Sequence, residues 1–371
     1  MKKIDLFDPW FLISIITILG LGFIMVASSS IPIAEGKRLP AFYFASHQAI
    51  YLLLGLVNAI IITYIPMRFW EKCGLFLLMA SIFFLTVLLL PGVSRSVNGS
   101  VRWLFIGPFS IQVSECVKLA TVIYMAGYLV RHEEQVRNEI TGFVKPLIIL
   151  GLISALLMLE PDFGATVVIV STCMGMMFLS GVPIRRFASL VLLVLIALAV
   201  LSISSPYRVE RMTSFLNPWA DQFNSGYQLT QSLIAFGRGG WLGVGLGSSI
   251  QKLLYLPEPH TDFLFAVLAE ELGLIGALLT VLLFFILIFK GMAIGKRAID
   301  AQKFFHGYVA YGISLWLGIQ TMINMGVNVG VLPTKGLTLP LMSYGSSSNL
   351  VVLVALGMLL RIDFETRITR L

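Results

Sequence analysis

The stretch Leu256 to Gly276, LPEPHTDFLFAVLAEELGLIG, sets His260, Asp262, Glu270 and Glu271 in or against an apolar run that continues as ALLTVLLFFILIF. A run of that length reads as a membrane helix, because about 20 apolar residues cross a bilayer. Ionisable groups are costly in hydrocarbon, so those that occur there serve a cavity, a counter-charge or a substrate path. Helical spacing separates these carboxylates. Glu270 lies ~12 Å deeper than Asp262 and about 80° round the helix, whereas Glu271 points to nearly the opposite face. Asp262 and Glu270 are thus candidates for one cavity, and Glu271 needs a different partner.

The whole chain shares this character. Of its 371 residues, 57% are hydrophobic and 12% charged, and the mean hydropathy is +0.91, outside the range of a soluble domain. No polar stretch is long enough to fold separately, so residues 1–371 read as a single polytopic membrane domain. The net charge of +7 is scattered between apolar runs without a basic cluster, which argues against nucleic acid. Cys73, Cys116 and Cys173 are isolated and odd in number, so they suggest neither a disulfide framework nor a metal knuckle. The start, MKKIDLFDPWFLISIITILG, resembles a signal peptide, but Asp5 and Asp8 and the length of the apolar run favour an uncleaved first helix.

Membrane-length runs fall at about 9–29, 46–66, 73–90, 110–130, 144–159, 163–181, 187–204, 261–290, 305–330 and 339–360. The expected fold is an all-α integral membrane protein of about ten transmembrane helices, with both termini on one side. Lys and Arg concentrate near segment ends on that side, among them Lys2, Lys3, Arg68, Lys72, Arg131, Lys290 and Arg361. The positive-inside rule makes it cytoplasmic. Three polar segments then face outward, to the periplasm of a bacterial inner membrane: Pro91 to Phe109, the turn Glu160-Pro161-Asp162, and a long loop of residues 205–260 between helices 7 and 8. That loop is partly helical, since YQLTQSLIAF has helical periodicity.

Asp262 has a simple reading as a carboxylate in a helix first turn, with His260 or Thr261 as cap, and a sharper one at the outer mouth of a cavity. In SIQVSECVKLA, Glu115 and Lys118 are three apart and share a face. They are either a self-neutralising pair or a site for an anionic ligand. Asp162 reads as the N-cap of the next helix. Arg102 and Arg238 are outward cations, and arginine grips phosphate oxygens in a bidentate manner. The run Gly243, Gly245, Gly247 lacks the strand and helix context of a phosphate loop and reads as close backbone packing. Finally, LPTKGLTLPLMSYGSSSNL combines a rigid outward loop carrying Lys335 with a polar cluster from Ser343 to Asn349 that suggests a lined cavity.

The segments NGSVRW, SECVKL, EPDFG, NPWADQFNSGYQLTQSLIAFGRGG, YLPEPHTDFLFAVLAEELG and LPTKGLTLPLMSYGSSS, in this order over nearly the whole chain, resemble the SEDS (shape, elongation, division and sporulation) family. TKGLTLPLMSYG and the RIDFETR tail resemble its division branch. The resemblance implies a ten-helix peptidoglycan glycosyltransferase that polymerises lipid II at the outer face of the inner membrane, at the division septum. It implies that Asp262 is the essential catalytic carboxylate, that Glu115 and Lys118 line the central cavity, and that Arg102 is the family's outward arginine. It also implies a class B penicillin-binding transpeptidase and divisome activators as partners. Ser346, Glu160 and Ala165 depart from the family's usual glycine, glutamine and threonine, none of them at Asp262.

The residue inventory suits that chemistry. The sugar 4-hydroxyl of an incoming lipid II needs one base, and a lipid pyrophosphate leaves without a proton once its charge is met. A glycosidase, with its poor alkoxide leaving group, needs two carboxylates. The expected mechanism is inversion with Asp262 as general base and undecaprenyl pyrophosphate as leaving group. The substrate-binding candidates are Arg102, Glu115, Lys118, Asp162, Arg238, His260, Glu270, Lys335 and Ser343, facing lipid II, the lipid-linked glycan strand and membrane lipids. No cofactor is required by the sequence; a divalent cation such as Mg2+ or Mn2+ on the pyrophosphates is left open. Two other functions fit polar groups in a membrane cavity: a lipid II flippase, and a scaffold for the transpeptidase. The outward position of Asp262 and of the long loop favours the enzyme.

Overall fold

The structure, a computed structural model, describes residues 8–90, 102–106, 109–203, 214–334 and 336–369. In chain order the helices are α1 (Pro9–Gly36), α2 (Tyr43–Tyr64), α3 (Met67–Leu88), α4 (Val113–Arg131), α5 (Glu133–Asn138), α6 (Ile140–Leu159), α7 (Phe163–Leu179), α8 (Ile184–Ile203), α9 (Tyr227–Gly239), α10 (Leu264–Asp300), α11 (Phe304–Asn328) and α12 (Ser346–Thr369). Among the described residues, all of these except α5 and α9 have 17 residues or more. Each of those long helices overlaps one of the apolar runs. Seven, α1, α2, α3, α4, α6, α10 and α12, are long and apolar enough to cross a membrane. Helix α7 is apolar but shorter, and α11 carries a row of polar residues along one face.

The expectation of an all-α chain needs correction. Trp103–Ile106 (β1) and Phe109–Gln112 (β2) pair antiparallel, with Trp103 opposite Gln112 and Ile106 opposite Phe109. The residues of WLFI and FSIQ are mostly aromatic or β-branched and suit a pleated ribbon. The fourth long helix therefore starts at Val113 rather than near 110, and the tenth at Ser346 rather than 339.

Helix α4 is buried along almost its whole length, packed against α3, α7, α11 and α12. Helices α2 and α3 present Ile50, Leu53, Ile60, Phe76 and Phe83 outward, an apolar exterior that water would not tolerate but hydrocarbon does. Helix α1 starts cleanly because the Asp8 carboxylate accepts from the amides of Trp10 and Phe11 at 3.1 and 3.4 Å, with Pro9 at the first helical position.

Helix α10 is broken. Gly273 has φ +69° and ψ −170°, and the carbonyls and amides freed there are taken up by the loop that follows α9. Val244 and Gly245 donate to the carbonyls of Glu270 and Glu271, each at 3.0 Å, while Leu274 and Ile275 donate to those of Gly240 and Trp241 at 2.9 and 3.2 Å. Irregular backbone at membrane depth is tolerated where protein satisfies it in this way. The approach needs glycine: a Cβ on Gly243, itself at φ +80°, would lie 2.1 Å from the Glu271 carbonyl oxygen. Close backbone packing, the reading its sequence context suggests, thus holds at Gly243, whereas Gly245 and Gly247, at φ +100° and +82°, have no backbone atom that close.

Candidate active site

Asp262 lies in a turn before α10, not in its first turn. The helix begins at Leu264, with no side chain capping it, so the simple reading of Asp262 as a helix-terminus carboxylate does not hold. Its backbone is held from α11 instead. The side-chain amides of Asn324 and Asn328 donate to the Asp262 carbonyl at 2.9 and 3.0 Å, and the Asn328 carbonyl oxygen accepts from the Ala266 amide at 3.1 Å. Asn324 also donates to the carbonyl of Leu337 at 2.6 Å. The 336–338 loop thereby lies against Asp262, and a Cβ on Gly336 would sit 3.1 Å from Asp262 Oδ2. Glycine at 336 keeps the space beside that carboxylate oxygen.

One turn deeper on α11, Gln320 donates to the Thr338 carbonyl at 3.0 Å. Its own oxygen accepts from Lys118 Nζ at 2.7 Å and from Trp316 Nε1 at 2.9 Å. Lys118 donates as well to Glu115 Oε1 at 2.8 Å and lies 5.4 Å above the Trp316 ring. Trp316, Gln320, Asn324 and Asn328 are each four apart and so form one stripe of the helix. This ladder connects the Glu115 and Lys118 pair to the loop over Asp262. The pair shares a face as its spacing requires, yet the Lys118 side chain is only 1% exposed. In this conformation it touches Gln320, and Glu115 Oε2 is buried without a hydrogen-bond partner.

Asp162 forms a second wall of the site. Its Oδ1 accepts from the Ala165 amide at 3.2 Å, making it the N-cap expected of it, and its Oδ2 accepts from Ser114 at 2.9 Å and Gln112 at 3.5 Å. Arg102 donates to the Pro161 carbonyl and stands 3.9 Å from Asp162. Leu337 reaches this wall too, since a Cβ on Gly164 would meet its side chain at 2.9 Å. The 336–338 loop is therefore flanked by Asp262 on one side and by the start of α7 on the other. Beside Asp162, Glu160 is fully buried with both carboxylate oxygens unpartnered. Burial, reinforced by the Asp162 charge and opposed by Arg102, pushes its carboxyl up to about 8. It is neutral at neutral pH, a stand-in for the glutamine usual in the family's motif.

The remaining candidates lie elsewhere. Glu270 is wholly buried and accepts from Arg238 at 3.0 Å, from Ser249, and from the amides of Ile250 and Gln251 at 3.0 and 3.3 Å. It fastens the loop after α9 rather than opening to Asp262, and Arg238 belongs to the same fastening. Glu271, expected to need its own partner, has Lys252 at 2.7 Å and Ser28 at 2.8 and 2.9 Å. His260 packs between Phe44 and Tyr344, with ring centroids at 5.0 and 5.4 Å. Burial pushes it down to about 4, so it is a neutral ring there. The Ser343 hydroxyl accepts from the Leu339 amide at 3.0 Å and its carbonyl from Gln48 and Asn349 at 3.3 and 3.0 Å, which holds the loop bend. Lys335 lies outside the described residues. Among the described residues no three His, Cys, Asp or Glu side chains gather as metal ligands.

Sequence reasoning missed Gln320, Asn324 and Asn328. Their signal was present: a polar amide every four residues in an otherwise apolar helix, which only a polar partner on one face explains.

Residues 9–368 match the FtsW, RodA and SpoVE family, described as cell cycle proteins. The chain is 54% identical over 366 residues to the probable peptidoglycan glycosyltransferase FtsW of Legionella pneumophila, covering 99% of this chain and 93% of that one. It is 52% identical over 360 residues to the protein of the same name from Coxiella burnetii, covering 97% of each. Its fold matches a chain from a solved structure concerned with the coordination of polymerization and crosslinking by a peptidoglycan synthase complex, at TM-score 0.79 and 28% identity, over 97% of this chain and 98% of that one. It also matches the rod shape determining protein RodA of Thermus thermophilus, at TM-score 0.71 and 25% identity, over 98% of both. With its membrane helices and this agreement along the full length, the chain belongs to the FtsW, RodA and SpoVE family of cell cycle proteins.

Proposed function

We propose that this chain is a peptidoglycan glycosyltransferase that polymerises lipid II into glycan strands at the outer face of the inner membrane, with Asp262 as its general base. The observation that carries the assignment of Asp262 is its setting: a carboxylate beside a glycine, on a backbone fixed from α11 by two asparagines. Two relatives over half identical along the chain, each named a probable peptidoglycan glycosyltransferase, support the enzyme over the flippase.

All ten long helices cross the membrane in this reading, with both termini cytoplasmic and residues 205–260 periplasmic. Asp262, Asp162 and Arg102 then share the periplasmic end. Asp262 takes the proton of the acceptor sugar hydroxyl as it attacks the anomeric carbon of the donor, which inverts that centre. The bond to the lipid pyrophosphate breaks, and its charge is met by Arg102 at the rim. Glu115 and Lys118 act through Gln320 and the 336–338 loop, setting the position of that loop over Asp262. The apolar outer faces of the helices admit polyprenyl tails from the bilayer and dock a single-pass class B penicillin-binding transpeptidase at the division septum, where divisome activators engage the pair.

Polymerisation of lipid II by the purified, reconstituted chain, with and without the transpeptidase, tests the reading. Wild type is expected to form polymer and Asp262→Ala none. Labelled lipid II crossing liposomes with no polymer under any condition would make the chain a flippase instead.

A further inference from the structure

Helices α3 and α4 border an open cleft of about 550 Å³ lined by Arg68, Glu71, Lys72, Leu75 and Arg131. Residues 68, 71, 72 and 75 follow helical spacing and so share one face of α3. Gly74 seats that helix closely on α4, where its Cβ would lie 3.6 Å from the Tyr124 Cα, and the Arg131 guanidinium folds back to 3.0 Å from the Cβ position of Gly127. Three cations thus line one cleft with a single carboxylate. Among the described residues none of the three forms an ion pair. Their mutual repulsion favours a bound anion, and two arginines suit phosphate oxygens. Away from the cleft, Leu75, Met79 and Phe83 continue along α3 at four-residue intervals, each about 60% exposed. An apolar track leading from a basic cleft fits an acyl chain below a headgroup, which a soluble anion would leave bare.

We propose that this cleft binds the headgroup phosphate of an anionic phospholipid, with one acyl chain laid along Leu75, Met79 and Phe83. The site goes beyond polymerisation and rests on the proposed orientation only in facing the cytoplasmic leaflet. Basic pockets between membrane helices on that side are suited to anionic lipids, each nearby cation contributing about 1 kcal/mol, or roughly fivefold in affinity.

The test is native mass spectrometry of the full-length protein exchanged into phosphatidylglycerol or phosphatidylcholine, with soluble glycerol phosphate as competitor. Wild type is expected to retain phosphatidylglycerol preferentially, and Lys72→Gln with Arg131→Gln to lower that preference roughly 25-fold. Should the double variant fail to fold, Lys72→Gln alone, on the exposed face of α3, is expected to lower it roughly fivefold. Equal retention of both lipids, equal preference in wild type and variants, or displacement by glycerol phosphate at concentrations matching the lipid would overturn the proposal. Asp262→Ala is expected to keep the lipid preference, so this result and the fate of the catalytic reading separate cleanly.

Discussion

The two ends of the stretch from Leu256 to Gly276 bear carboxylates treated in opposite ways. At Glu270 and Glu271 the protein spends its donors on the side chains. Arg238, Ser249, Lys252, Ser28 and backbone amides converge on them, and their own carbonyls accept from the loop at 244 and 245. At Asp262 two asparagine side chains grip the backbone carbonyl, and the carboxylate lies beside a glycine. A buried carboxylate saturated with donors holds a fold together, because breaking such a pair leaves an uncompensated charge. At Asp262 the fixation falls on the backbone, which sets where the residue stands.

That contrast can be broken at several points. The largest effect on folding is expected for Lys252→Met, which strands Glu271 without its cation beside the break at Gly273. A loss of about 3–5 kcal/mol is expected, read as a collapse of the thermal midpoint in detergent, with Glu271→Gln in the same background restoring much of it. Retention of the wild-type midpoint by Lys252→Met would remove the structural half of the comparison. Next, Asn324→Leu takes away a donor shared by the carbonyls of Asp262 and Leu337. A stability loss of about 1–3 kcal/mol should accompany a fall in polymerisation of up to about 100-fold, whereas a purely structural residue would lower yield without changing the rate per folded molecule. A smaller effect, about tenfold or less, is expected for Gly336→Ala, because its Cβ at 3.1 Å from Asp262 Oδ2 forces the loop or the carboxylate to give by a few tenths of an ångström. Turnover measured at saturating lipid II checks it.

The effect of Glu160→Gln is expected to depend on pH, small in acid and larger near pH 8. The folded carboxyl is raised from its ordinary 4.5 to about 8, so the folded state holds its proton where the unfolded state has lost it. Its contribution is fully present below about pH 4.5 and is lost as pH rises to about 8. The glutamine keeps the neutral form throughout. Its thermal midpoint should therefore exceed wild type near pH 8 and match it near pH 4.5. An equal shift at both pH values would show that Glu160 is not neutral in the fold.

Much of this architecture was legible in the sequence because membrane helices announce themselves through apolar runs. Each long helix overlaps a run identified from hydropathy, the shared face of Glu115 and Lys118 followed from their spacing, and the capping by Asp162 from its place before the next helix. The pairing of 103–106 with 109–112 escaped because the first strand fell within the polar segment read from Pro91 to Phe109 and most of the second within the apolar run read from about 110. The break in α10 escaped for a related reason: a glycine within an apolar helix is common, and only the approach of Gly243 from a distant loop makes Gly273 a break. The partners of Glu270 and Glu271 come from 19 to 243 residues away in the chain, so no local pattern could supply them. Without those partners Glu270 looked as suited to a cavity as Asp262.

The most direct test is to measure Asp262→Ala and wild type side by side for thermal midpoint and for lipid II polymerisation in reconstituted form. The expected result is an unchanged midpoint with polymerisation abolished, the signature of a carboxylate that reacts rather than supports. Polymerisation at the wild-type rate, or a loss of activity matched by a loss of folded protein, would contradict it.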